Sequence, residues 1–104
     1  MDVYKVKVTI SAKKDLKGIA RYISSGLNAP QAAINTVRAI REAISNLKTN
    51  ALFYPFVRDE RLAALGYRPM VVKNYIVFYI VNEKDNIASV ARVIHSRRDW
   101  QNIL

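Results

Sequence analysis

The fold of this chain is decided by residues 70–94, MVVKNYIVFYIVNEKDNIASVARVI. The stretch contains three runs rich in β-branched and aromatic residues, which are typical of strands, at 70–72, 75–81 and 87–94. The polar segment 82–86 between the last two runs predicts a hairpin loop. Pro69 has no amide donor, so the first strand is predicted to start there or to lie at a sheet edge.

Apolar and polar residues alternate from residue 3 to residue 10, which predicts a further strand, half-buried and with a basic outer face. The expected inward set is Tyr4, Val6, Val8 and Ile10. Ser11 ends the alternation and is predicted to cap a helix by accepting a backbone N–H.

Helical spacing follows the first strand. A first helix is predicted from Ala12 to the breaking sequence Ser24-Ser25-Gly26. A second is predicted from about Pro30 to Lys48. Its apolar stripe is expected to face the sheet and consists of Ile34, Val37, Ile40, Ile44 and Leu47. The short connection between the two helices predicts an antiparallel hairpin.

The resulting order, β-α-α-β-β-β, predicts an α+β fold of two layers. We expect an N-terminal strand and a helical hairpin packed on a mainly antiparallel sheet of about four strands. The irregular stretch 49–66 contains Pro55, which excludes a helix interior there. We expect residues 1–104 to form a single domain.

Composition limits the possible functions. The 104 residues include 17 Lys+Arg and 8 Asp+Glu, a net charge of +9, and 51% are hydrophobic, which excludes a disordered basic tail. The absence of cysteine excludes a disulfide scaffold. No apolar run is long enough for a membrane span, and residues 1–10 show no secretory signal, so we expect a cytoplasmic protein. The charge predicts an acidic partner, either nucleic acid or protein.

The candidate catalytic group is His95, the only histidine and so the only side chain whose ordinary pKa lies near neutrality. If the chain cleaves RNA, His95 would act as general base, and Arg92 and Arg97 would hold the phosphate. In a regular strand Arg92 and His95 point to opposite faces, so this role requires a bulge or a strand end near Ile94. The alternative is a histidine at the end of a strand that makes an ordinary hydrogen bond.

The candidate binding residues form a basic set with one aromatic ring: Arg68, Arg92, Arg97, Arg98 and Trp100. Each has an alternative structural role. Arg92 could pair with Asp59 or Glu60, and Asp99 could pair with a neighbouring arginine. Trp100 could pack over the sheet. No metal-ligand spacing or Gly-rich phosphate loop is present, so we expect no metal and no cofactor.

Two segments resemble the RelE/ParE toxins. Residues 66–81, GYRPMVVKNYIVFYIV, are similar to the central strand pair of that family, and residues 92–100, RVIHSRRDW, are similar to its last strand and tail. The resemblance implies a toxin of a type II toxin–antitoxin module. It also implies neutralisation by a cognate antitoxin, which we expect to be acidic and partly disordered, in a toxin–antitoxin hetero-oligomer.

The resemblance implies two mechanisms. RelE-like members cut messenger RNA on the ribosome, whereas ParE-like members poison DNA gyrase. The ribonucleases commonly carry an arginine after the first tyrosine of the Tyr-x-x-x-Tyr strand and a tyrosine or similar group in the tail. Here those places hold Ile76 and Trp100. We therefore expect a ParE-like gyrase poison; the alternatives are a ribosome-dependent endoribonuclease and a non-toxic basic nucleic-acid-binding domain.

Overall fold

Four strands and five helices follow one another in the computed structural model, which describes residues 3–104; Met1 and Asp2 of the expected domain lie outside the described residues. The elements are β1 (Lys5–Val8), α1 (Ile10–Arg21), a π-helical turn (Tyr22–Gly26), α2 (Pro30–Ser45), α3 (Leu47–Asn50), α4 (Glu60–Ala64), β2 (Tyr67–Val72), β3 (Tyr75–Asn82), β4 (Ile87–His95) and α5 (Trp100–Ile103).

The strands form one sheet in the order β1-β4-β3-β2. β1 runs parallel to β4, and the other two pairings are antiparallel. This arrangement confirms the predicted α+β fold with a mainly antiparallel sheet. Pro69 lies in β2, opposite Phe78, and β2 is an edge strand as predicted. No helix between residues 3 and 104 is both long and apolar enough to cross a membrane.

The first strand is shorter than the alternation predicts. Ile10 begins α1 and is 73% exposed, so its predicted inward position is wrong. The predicted cap at Ser11 is also wrong: the Thr9 hydroxyl accepts the amide hydrogen of Ala12 at 3.1 Å and donates to the carbonyl of Ala91 at 2.9 Å. Thr9 is better placed than Ser11 because its own amide already bonds to the sheet, at Val90.

The second predicted helix is broken near its end. α2 stops at Ser45, and α3 begins after Asn46. Ile40, Ile44 and Leu47 are buried as predicted, but Ile34 is 51% exposed and Val37 is half-buried. Ala33 takes the buried position near the start of α2. Neighbouring helical residues are about 100° apart, so a face that includes Ala33 turns Ile34 outward.

Both faces of the sheet are covered. Val77, Phe78 and Tyr79 are fully buried although successive residues of a strand point to opposite faces. A large hydrophobic cluster contains Val77 and Tyr79 together with residues of α1 and α2. A smaller cluster contains Phe78 together with Val57, Leu62 and Ile94, and the chain's C-terminal residues pack on it.

A β-bulge lies in β4. Phe78 pairs with Arg92 and Tyr79 with Val90, which leaves Ala91 as the extra residue. β4 ends at His95 and has no bulge near Ile94, where the catalytic role required a bulge or a strand end; its bulge precedes Arg92. Val90 and Val93 are three positions apart and would point to opposite faces of a regular strand. The bulge turns both toward the same hydrophobic cluster. Beyond it the strand is regular, so Arg92 and His95 stay on opposite faces.

Candidate functional site

Along the second half of β4, after residue 90, the edge of the strand is covered by a side-chain carboxylate and not by a neighbouring strand. β1 pairs with residues 87–90 and goes no further. Beyond that point Asp15, on α1, accepts the Val93 amide hydrogen at 2.9 Å. The same carboxylate binds the Arg92 guanidinium through two hydrogen bonds, of 2.7 and 3.0 Å. Thus Asp15 satisfies a strand edge and an arginine at once.

The partner of Arg92 differs from the predicted ones. Asp15, not Asp59 or Glu60, forms the ion pair, and its hydrogen bond to Arg92 raises the pKa of the guanidinium above its ordinary value. Asp59 instead caps α4 by accepting the amide hydrogen of Leu62 at 3.0 Å. Arg92 has a side-chain exposure of 28% and Asp15 of 15%, so the pair is partly shielded from water.

A cleft of about 560 Å³ opens between α1 and this end of the sheet. We call it the His95 cleft. Besides Asp15 and apolar residues, it is lined by Lys14, Gly18, Tyr22, Tyr75, His95 and Arg98. Two cations, two phenols and the single imidazole of the chain therefore share one concave surface.

His95 is held by two contacts. Its ring meets the Tyr75 ring edge-on at 5.3 Å, and its Nδ1 accepts the amide hydrogen of Arg97 at 3.1 Å. Since Nδ1 accepts, we assign the ring proton to Nε2. The pKa of the Tyr75 phenol is raised by burial and by the nearby Tyr22 phenol, so Tyr75 is a neutral donor at physiological pH.

The predicted basic residues fall in different places. Arg98 lines the His95 cleft, and Arg97 is exposed outside its lining. Arg68 lies on β2, across β3 from β4, where it donates to the Tyr54 carbonyl and its guanidinium lies 4.2 Å from the centre of the Phe56 ring. The structure therefore brings Arg98 to His95 and keeps Arg68 away.

The tail packs on the sheet. The Trp100 ring lies 5.2 Å from the Phe78 ring, and Ile103 and Leu104 pack against the same smaller cluster. Asp99 accepts a hydrogen bond from the Asn102 amide group and not from an arginine. Trp100 is half-buried, so part of its surface stays accessible.

Sequence reasoning missed five of the residues named above in the cleft: Lys14, Asp15, Gly18, Tyr22 and Tyr75. Gly18 carried the clearest signal, because a glycine inside a helix is unfavourable. Lys14 and Asp15 look like ordinary surface residues until α1 is placed against β4. Within residues 3–104, no three His, Asp or Glu side chains come close enough together to hold a metal ion.

Comparisons with known proteins identify the family. A family model described as ParE toxin of type II toxin–antitoxin system, parDE, matches residues 6–100. A solved structure of the chromosomal ParDE toxin–antitoxin system from P. aeruginosa aligns with a TM-score of 0.73 at 20% identity, covering 89% of this chain and 96% of that chain.

A second solved structure, the RelBE2 toxin–antitoxin complex from Mycobacterium tuberculosis, aligns with a TM-score of 0.65 at 20% identity, covering 89% of this chain and 98% of that chain. No curated protein matched the sequence. At such identities the structural likeness shows a shared fold. Because the family match spans nearly the whole length, the chain belongs to the ParE toxin family of type II toxin–antitoxin systems.

Proposed function

We propose that this ParE-family chain acts as a single toxin domain that arrests growth by binding and poisoning DNA gyrase. The observation that carries the proposal is the ion pair between Arg92 and Asp15. Membership of the ParE family supports it independently. A protein-binding poison needs a stable surface and no acid–base machinery, which agrees with the way these side chains are engaged.

Arg92 is poorly placed to hold a phosphate. Its Nε and one terminal nitrogen already bond to both carboxylate oxygens of Asp15. To bind RNA in that fork-to-fork manner, Arg92 would have to leave Asp15 and expose a shielded carboxylate. The unpaired carboxylate would then lie beside the cleft and repel the phosphate.

The side chains near the cleft that could transfer a proton are also engaged in other contacts or absent. The Nδ1 lone pair of His95 is occupied by the Arg97 amide hydrogen, so a general base would first have to break that bond. Ile76 and Trp100 pack at the smaller cluster, and neither side chain exchanges a proton near neutral pH. These contacts favour a toxin that binds a protein target over one that cleaves RNA.

The test is a supercoiling assay with purified toxin, gyrase and relaxed plasmid. We expect inhibition at a toxin concentration near that of gyrase, and the same inhibition from His95→Ala, which removes the imidazole but no proposed gyrase contact. Arg97→Glu combined with Arg98→Glu should weaken inhibition if these exposed cations contact the target. Undiminished supercoiling at a large excess of toxin would contradict the proposal.

A second candidate function is ribosome-dependent cleavage of messenger RNA. The observation in its favour is the grouping of His95, Tyr75 and Arg98 in one cleft. Induced expression should then produce cuts within translated messages, mapped by their 5′ ends, and both His95→Ala and Arg97→Ala should abolish them. A transcript pool that stays intact while growth stops would leave gyrase as the target.

We also propose that a cognate acidic antitoxin covers the N-terminal half of the chain. Residues 3–48 carry nine Lys or Arg residues, whereas their only acidic residues are Asp15 and Glu42. A groove of about 490 Å³ between β1, α1 and α2 has an apolar floor and a rim of cations, namely Lys13, Lys17, Arg41 and Lys48. β1 is also an edge strand, so an extended segment could pair with it.

Binding of the proposed acidic antitoxin tests this surface. We expect a complex whose dissociation constant rises steeply with salt, because charge pairs form across the interface. Lys13→Glu combined with Lys17→Glu should weaken the complex. Arg58→Glu combined with Lys84→Glu, an equal charge change at two exposed sites outside the groove, should leave it nearly unchanged. Equal weakening by both pairs would contradict this surface.

A further inference from the structure

We infer that the His95 cleft binds a nucleotide unit, with its phosphate against Lys14 and Arg98 and its base against the exposed ring of Tyr22, while the buried Tyr75 forms the wall of the cleft. This site shares Arg98 with the proposed gyrase contact, but nucleotide binding is measured without gyrase, so the two proposals can fail independently. The inference combines the charge of the cleft, its aromatic walls and the irregular backbone around it.

The cleft carries a net positive charge. Lys14 projects from α1 and Arg98 from the segment after β4, and both are exposed. The one carboxylate in the lining, Asp15, is already neutralised by Arg92 and accepts the Val93 amide hydrogen as well. Two cations without a competing anion attract a phosphate group. The volume of about 560 Å³ lies within the usual range for small-ligand sites.

Two aromatic rings are held in place beside those cations. Tyr75 is buried, and its edge-on contact with His95 fixes its ring as part of the cleft wall. Tyr22 is 59% exposed, and its ring lies so close to Gly26 that an added Cβ there would be 3.2 Å from the ring. Bases stack on such rings whatever their sequence, and their phosphates are bound by neighbouring cations. Aromatic rings interleaved with cations therefore fit a nucleotide better than an inorganic anion.

A glycine and the start of a π-helical turn line the same cleft, and a β-bulge lies two residues before the cleft residue Val93. Gly18 lies inside α1, where an added Cβ would meet no atom within 4 Å, so packing does not require glycine. A larger side chain at that position would extend into the cleft. The π-helical turn begins at Tyr22, and the bulge at Ala91 directly precedes Arg92. Helix interruptions and bulges of this kind are concentrated at functional sites.

The arrangement favours binding without cleavage. The Arg97 amide hydrogen occupies Nδ1 of His95, and Arg92 is held by Asp15, so Arg98 can bind the phosphate but no free imidazole nitrogen acts as a base beside it. The nucleotide unit could come from two sources, a free nucleotide or the end of a single strand. The chemistry of recognition is the same for both, and a titration separates them.

The experiment titrates the full chain with AMP, ATP, a six-residue single-stranded oligonucleotide and inorganic phosphate, and follows amide NMR shifts. We expect saturable binding of the nucleotides, at least tenfold tighter than that of phosphate, with shifts concentrated around residues 14–22 and 93–98. Comparable affinity for AMP and the oligonucleotide would identify a free nucleotide; a tenfold preference for the oligonucleotide would identify a strand. No saturation by any nucleotide, or equal affinity for phosphate, would overturn the inference.

Variants make the test specific. Lys14→Gln combined with Arg98→Gln should weaken binding at least tenfold, while Arg58→Gln combined with Lys84→Gln, with the same loss of charge elsewhere, should change it less than twofold. Gly18→Leu should raise the melting temperature and abolish binding, whereas Gly18→Ala should raise the melting temperature and retain binding. Full affinity in Gly18→Leu, or equal weakening by both charge pairs, would overturn the site.

Discussion

The two halves of β4 are completed in different ways. Residues 87–90 lie between two strands, β1 and β3, and their backbone pairing is regular on both sides. Residues 92–95 pair with β3 alone, and Asp15 caps their other edge. A strand closes an edge completely, whereas a side chain closes it at one point. The second half therefore keeps open space beside it, and the His95 cleft occupies that space.

The two halves also differ in the kind of side chain they carry. In the first half, Ala88 and Val90 are fully buried in the large hydrophobic cluster. In the second half, Arg92 is partly exposed and His95 lines the cleft. One strand thus anchors the sheet at its start and carries charged and titratable groups at its end, with the bulge at Ala91 between the two.

Asp15→Ala should have the largest effect, because it removes the cap from the second half and leaves Arg92 unpaired. We expect a loss of about 3 kcal/mol in the free energy of unfolding, measured by urea denaturation. Amide exchange should accelerate at Val93 and stay slow at Val90 if the two halves are independent. Asp15→Asn, which keeps one hydrogen-bond acceptor, should lower the free energy of unfolding by less than Asp15→Ala does. Equal acceleration at both amides would contradict the comparison.

Tyr79→Phe tests the strand that supports both halves. The buried Tyr79 hydroxyl donates to the Ala51 carbonyl at 2.7 Å, and its removal leaves that carbonyl unsatisfied. We expect the free energy of unfolding at neutral pH, measured by urea denaturation, to fall by roughly 1–2 kcal/mol. Amide hydrogen exchange should accelerate in both halves of β4 together.

The same substitution should change the alkaline stability profile. Burial raises the pKa of Tyr79 to about 12, although the nearby Arg68 charge opposes the shift. The protonated phenol therefore stabilises the fold fully below pH 10, and this contribution is lost as the pH rises through 12. The stability difference between wild type and Tyr79→Phe should narrow over that interval. A constant difference would mean that Tyr79 does not titrate with unfolding.

Thr9→Ala acts at the junction of the two halves. The Thr9 hydroxyl caps α1 and bonds to the carbonyl of Ala91, the bulged residue. We expect a loss of about 1 kcal/mol in thermal or urea unfolding. Ser11→Ala, a matched change two positions later, should stay within about 0.5 kcal/mol of wild type. A larger effect at Ser11 than at Thr9 would contradict this assignment of the cap.

Lys73→Gly should have the smallest effect and should be stabilising. Lys73, in the turn between β2 and β3, has a φ of 53°, which strains residues with a side chain. We expect a gain of about 0.5 kcal/mol in the free energy of unfolding. This turn is remote from β1. Amide hydrogen exchange in the first half of β4 should therefore slow only if the whole sheet is stabilised together. Asn74→Gly should give no gain.

The sequence was most informative where burial repeats along a strand. The runs at 75–81 and 87–94 correspond to β3 and β4 because nearly every residue of the first run, and half of the second, belongs to or packs against one of the two hydrophobic clusters. Ile10 does not follow the strand alternation because Thr9 caps a helix that begins at Ile10. Where a helix begins depends on which side-chain oxygen the fold places next to the unpaired amides of the first turn. Alternation alone carries no information about that contact.

The site was predictable in part. His95 and Arg98 stood out because charge and titration belong to the side chain itself. The role of Asp15 did not, since it and Arg92 are 77 positions apart and meet only when α1 lies along the open edge of β4. The position of the bulge was missed for a similar reason: it is fixed by the need to bury both Val90 and Val93.

The parallel pairing of β1 with β4 has a consequence for synthesis. Residues 5–8 are made 82 positions before their partners, residues 87–90. The same delay applies to Asp15, whose arginine and amide partners are at 92 and 93. A chain still growing on the ribosome can form α1 and α2 but cannot complete the sheet, since contacts so distant in sequence form late. Each new molecule is therefore finished as a folded toxin only after translation has passed residue 93.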